Sequence, residues 1–193
     1  MMKLLYSGWL AAIFFIFGSV ILGSLLPDYS MVSQTVSEIG EKGSALYFSW
    51  QLFGFLIAAL LIAFSIGLLI FARKKNLSRV PGVLVLFAGL SELGISFFPS
   101  PHDLHNVFGL SMTIGYFAPL AFYLLWKDKL GQVFKKISLA AFILIILGIF
   151  LNLSPAFAPK LYPIEYYGLV QRFLLFTFYL YLGFVSMKTL SFI

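Results

Sequence analysis

Six stretches of this chain are each apolar for the length needed to cross a bilayer, and little sequence is left between them. They lie near 4–26, 46–72, 79–98, 103–126, 134–154 and 166–189. A helical span needs about 20 residues at 1.5 Å rise to cross roughly 30 Å of hydrocarbon. The chain is 61% hydrophobic and only 10% charged, whereas soluble domains carry about a quarter of their residues as charges. The expected fold is therefore all-α: a polytopic membrane protein whose 193 residues make a single six-transmembrane-helix bundle with no soluble domain. The first stretch exceeds a signal-peptide core, and "ILGSLLPDYS" behind it offers no small-x-small cleavage site, so it is read as a retained anchor.

Charge sets the orientation. Lys3, Arg73, Lys74, Lys75, Arg79, Lys127, Lys129, Lys135, Lys136 and Lys188 fall on one side of the six spans, against Lys42 and Lys160 on the other. The positive-inside rule then places both termini in the cytoplasm and the less basic loops outside the cell membrane. Tyr and Trp at the span ends, such as Trp9, Trp50, Trp126 and Tyr167, suit the two interfaces. The net charge of +6 is thereby explained as topology and headgroup contact, with no nucleic-acid partner. The absence of Cys removes disulfides, thiolate nucleophiles and Cys metal sites together.

Chemically varied residues concentrate in or beside the outer loops, about 27–45, 97–103 and 155–165. In the first, "SMVSQTVSEIG" reads as one or two helical turns between Ser30 and Gly40, a small lid. Val32, Val36 and Ile39 share its apolar side, which would lie on the bilayer interface. Gln34 and Glu38, four apart, share another face, with Ser37 at its edge.

"PSPHDLHNVFGL" opens the fourth span and holds both histidines. Ser100 is the expected N-cap, Pro101 the first helical residue and Asp103 the third position of a capping-box-like start. His102 then sits near the headgroups. His105 lies deeper, where an imidazole requires a polar partner or a wet cavity. His102, Asp103 and His105 together permit a divalent metal such as zinc, although the pattern is weak without Cys.

Glu92 lies about six residues before the end of the third span and Arg172 about six after the start of the sixth. Each is thus roughly 9 Å deep from the same face. Matched depth predicts that the two charges pair, because either alone in hydrocarbon costs several kcal/mol. Gln171 is turned about 100° from Arg172 on the same helix. No phosphate-binding glycine loop, nucleophile elbow or metalloprotease helix motif occurs.

The outer "SQTVSEIG", the "HDLHNVFG" that opens the fourth span and the "GLVQRF" that opens the sixth resemble the domain-of-unknown-function family 998 over nearly the whole chain. That family is similar in turn to the six-span group of the FGF-receptor-activating protein and the damage-regulated autophagy modulators. Matched residue by residue, the resemblance points to Ser37, Glu38, Gly40, His105, Gln171 and Arg172, and implies no established activity. A weaker likeness is to membrane hydrolases of the alkaline ceramidase kind; this chain has only two His, which puts a three-His zinc site in doubt.

Two functions follow as expectations. The first is an outward-facing polar pocket that binds a lipid headgroup, or a protein partner or second copy within the membrane, through Ser37, Glu92, Gln171 and Arg172. The second is a lipid-active hydrolase or transferase with Glu38 or His105 as general base or metal ligand and Arg172 holding an anionic headgroup. A transporter fits less well, because Pro119 in the fourth span is the one break expected inside a span.

Overall fold

A computed structural model describes residues 1–193, apart from the side chains of residues 127 and 128. Lys127 in the charge count above therefore lies outside the described side chains. Seven α-helices make up the six spans: α1 Met2–Ser24, α2 Tyr47–Lys74, α3 Val80–Phe97, α4 Asp103–Gly115, α5 Ala118–Leu130, α6 Gln132–Leu153 and α7 Tyr167–Leu190. No strand occurs among the described residues. Six segments are long and apolar enough to cross a membrane, and α4 and α5 share one of them, Asp103–Trp126.

Leu, Ile, Phe and Ala surround most of these helices on every side, as suits a helix with lipid on one flank and protein on the other. Phe48, Leu52, Phe17 and Leu110 point outward, each more than half exposed. Inward, Phe15 stacks on Tyr179 at 3.9 Å between ring centroids, and the Ser186 hydroxyl donates to the Leu5 carbonyl at 2.6 Å. Gly115 lets α4 close on α3, since a Cβ there would meet the Ala88 Cβ at 2.6 Å.

The fourth span is broken where Pro119 requires it. Without an N–H, Pro119 leaves the Gly115 carbonyl unpaired and its ring crowds that carbonyl, and the helix stops at Gly115 and resumes at Ala118. The helices form a ring in which α1 packs on α2 and α7, α2 on α3, and α6 on α7, with α4 resting on α3 and α5 on both α3 and α6. The span closes on α6 chiefly through its α5 half. Gly131, at φ +90°, makes the one-residue turn between α5 and α6.

Two expectations about the loops need correction. The fourth span starts later than Ser100: the N-cap is His102, whose Nδ1 accepts from the Leu104 N–H at 3.1 Å, and Pro101 lies outside the helix. The imidazole nitrogen supplies the acceptor that the serine was expected to supply. The lid also does not lie flat on the bilayer interface. Its short 3₁₀ helix, Val36–Gly40, plugs the mouth of the bundle with Val36 and Ile39 buried, leaving only Val32 exposed. Burying two apolar side chains in the protein core leaves the polar side of the loop facing the helix ends.

Candidate functional site

The site begins with the third residue of α4, His105. Its Nδ1 lies 2.9 Å from the Phe98 carbonyl oxygen and its Nε2 lies 3.1 Å from the Ser37 hydroxyl oxygen. A carbonyl only accepts, so Nδ1 carries the proton and Nε2 presents a lone pair to the Ser37 O–H. The polar partner that His105 requires is thus found in part on the first loop. His102 sits on the exposed start of the helix, occupied in capping it.

Three residues hold the loop in place. Arg172, buried on α7, donates through Nη1 to the carbonyls of Met31 at 2.8 Å, Gln34 at 2.7 Å and Gly168 at 3.1 Å, and through Nη2 to the Tyr29 hydroxyl. Its Cζ stands 5.6 Å from the centroid of the Tyr29 ring. Gln171 accepts the Val36 N–H at 2.8 Å. Glu38 accepts from the Thr35 N–H at 2.9 Å, the Thr35 hydroxyl at 2.8 Å and the Gln34 side-chain amide at 3.1 Å. That is a capping box, and it commits both carboxylate oxygens of Glu38 to the loop. Burial pushes the Tyr29 phenol above its ordinary value, with Arg172 opposing the rise.

The expected ion pair between Glu92 and Arg172 is not formed. Counting depth along two helices overlooked the loop, which descends to meet Arg172 because Gly168, one turn earlier on α7, has no side chain to keep the Met31 and Gln34 carbonyls away. Four oxygens then take the guanidinium, and only its Nε is without a partner among the described residues. Glu92 is buried on α3, near Gly54 and opposite the Tyr179 hydroxyl, which it does not meet in full hydrogen-bond geometry.

Below the loop lies a cavity of about 510 Å³. Its polar lining includes Thr35, Ser37, Glu92, His105, Asn106, Thr113, Asn152, Tyr167 and Gln171, and its apolar lining includes Leu110, Leu153, Leu174 and Leu175. Glu38 and Arg172 do not line it. One wall is α4 and the facing wall is α6 and α7. α4 packs chiefly on α3 and the span meets α6 chiefly through α5, and residues of both α4 and α6 line the cavity. Asn106, Gly109, Leu110 and Leu153 of its lining are exposed.

Among the described residues no three His, Asp or Glu side chains converge as metal ligands would. His102 and Asp103 stand on the exposed helix start, while both His105 ring nitrogens meet oxygen partners. The donor set expected for zinc is therefore not assembled by His102, Asp103 and His105. Asn106, Thr113 and Asn152 were missed by sequence reasoning. For two of them a signal was available: Asn106 and Thr113 are two turns apart on one face of α4, with Gly109 between them.

Fold and site together define a polytopic helical protein with six membrane-length spans and a cavity of mixed lining at the end that carries the long first loop and the loop between α6 and α7. The chain belongs to the family described as "Protein of unknown function (DUF998)", whose model matches residues 9–188. Comparison with curated proteins and with solved structures finds no match.

Proposed function

We propose that the protein is a multi-pass cell-membrane protein that binds a membrane lipid in the crevice between α4 and α6, the headgroup toward His105, Asn106 and Gln171 and the chains along Leu110, Leu153 and Leu174. The observation that carries this reading is a cavity of about 510 Å³ with both polar and apolar lining, of which Asn106, Gly109, Leu110 and Leu153 on α4 and α6 are exposed. An amphiphile matches that division, and exposed lining on two spans lets it enter from the bilayer without passage through water. The basic asymmetry of the connectors orients the crevice toward the extracytoplasmic leaflet. A protein partner or a second copy would have to enter the same opening.

Gly109 provides the test. It lines the crevice, and a Cβ added there meets no atom within 4 Å. Gly109→Trp should therefore fill the opening while the helix keeps its stability, since glycine is a poor residue in a helix interior. The wild-type protein, purified in mild detergent and examined by native mass spectrometry, should carry about one lipid, and Gly109→Trp should carry none at an unchanged melting temperature. Wild-type protein free of lipid, or a variant that retains it, would refute the reading.

A further inference from the structure

We propose that Ser37 and His105 form a nucleophile–base pair that transfers the acyl group of a membrane lipid ester bound in the crevice. This rests on the lipid-binding reading and adds chemistry to it. Three parts of a nucleophilic site are present. Ser37 Oγ lies 3.1 Å from His105 Nε2, within reach for proton transfer. The Phe98 carbonyl, 2.9 Å from Nδ1, fixes the imidazole in the tautomer whose Nε2 accepts, as the third member of a triad does. Both side chains line the cavity, so a substrate there reaches them.

Two groups of the cavity lining are candidates to donate to the oxyanion, the Ser37 backbone N–H and the Asn106 side chain. No described residue accepts from the Ser37 backbone N–H, and the side-chain amide of Asn106, next to His105 on the cavity wall, has no hydrogen-bond partner among the described residues. Glu38 is the residue displaced from the role expected of it, because a carboxylate already accepting three hydrogen bonds within its own loop is a poor proton acceptor for a substrate.

The substrate class follows from depth. Ser37 on the first loop and His105, the third residue of the Asp103–Trp126 span, stand at the loop end of the bundle. The acyl ester linkages of a glycerolipid lie at this boundary between headgroup and hydrocarbon. In the forward step Ser37 Oγ adds to the ester carbonyl while its proton passes to His105 Nε2. Collapse of the tetrahedral adduct breaks the bond to the alkoxy oxygen, which leaves as the alcohol with that proton, and the acyl group stays on Ser37. Water, or the hydroxyl of a second lipid, then gives its proton to Nε2 and attacks the acyl carbonyl; collapse breaks the bond to Ser37 Oγ, which takes that proton back from Nε2, and releases an acid or a new ester.

The test is covalent capture by an alkyl fluorophosphonate, in which an activated serine displaces fluoride, on the full chain in phosphatidylcholine vesicles. Mass spectrometry should place the adduct on Ser37. Ser37→Ala should abolish it, His105→Asn should slow it by about 10²-fold or more, and Ser33→Ala should leave it unchanged. The melting temperature of each variant is read alongside. A long-chain probe should be blocked by Gly109→Trp, whereas a methyl probe should still label. Wild-type protein that carries lipid but forms no Ser37 adduct overturns the nucleophile and leaves the binding reading standing. Labelling by the long-chain probe that Gly109→Trp leaves untouched overturns the assignment of a lipid substrate. Labelling that survives unchanged in a folded His105→Asn overturns the base.

Discussion

Arg172 holds Gln34 by its backbone, Nη1 lying 2.7 Å from the Gln34 carbonyl oxygen across 138 positions of sequence. A cation buried in a span is thus satisfied by loop carbonyls and a phenol rather than by an acid. Its role is to seat the segment that carries Ser37 over the crevice.

Arg172→Met should lower stability by about 3 kcal/mol, since each hydrogen bond to a charged group is worth about 1.5–3 kcal/mol net. It should also expose residues 29–40 to limited proteolysis. Glu92→Gln combined with it should be additive within about 0.5 kcal/mol, because the two residues share no partner. A double-mutant cycle on thermal unfolding measures this. Coupling of several kcal/mol would restore the ion pair.

Tyr29 makes the clamp sensitive to alkali. Its folded pKa is raised above the ordinary 10.0 by burial, so the folded state favours the neutral phenol. That contribution is complete below pH 10 and is lost as pH rises through the folded value. The stability advantage of wild type over Tyr29→Phe should therefore be constant from pH 7 to 9 and shrink above pH 10, as read by denaturation across that range.

Gly168→Ala should unseat the loop without touching a charge. The new Cβ would collide with the backbone of Gln34 and Met31, which cannot rotate away as a side chain would. Overpacking of this kind costs about 1–3 kcal/mol. Hydrogen exchange should show the loss concentrated in residues 29–40, with α1, α2 and α3 unchanged.

Sidedness is testable on a chain that has no native Cys. Single cysteines at exposed Ser30 or Lys160, which the fold places at one end, should react from outside the cell with an impermeant thiol reagent. A cysteine at exposed Lys75, at the opposite end, should react only after permeabilisation. The reverse pattern would turn the crevice toward the cytoplasm.

The sequence alone determined the spans. Met2–Ser24, Tyr47–Lys74 and the rest fall within a few residues of the apolar stretches, because in hydrocarbon each segment must satisfy its own backbone and hydropathy is a local property. The break before Pro119 was legible for the same reason, since the missing N–H acts on the residue one turn away. What only the tertiary structure decided is where the first loop goes. No periodicity fixes the path of the loop, so residue counting sets Arg172 against Glu92, and Glu38 reads as a free acid–base group. The descent of Ile39 into the core, with Gly168 leaving room and Arg172 collecting the carbonyls, turns Glu38 into a cap. The same descent brings Ser37 to a histidine 68 residues away, because long-range contacts depend on which surfaces can close on one another.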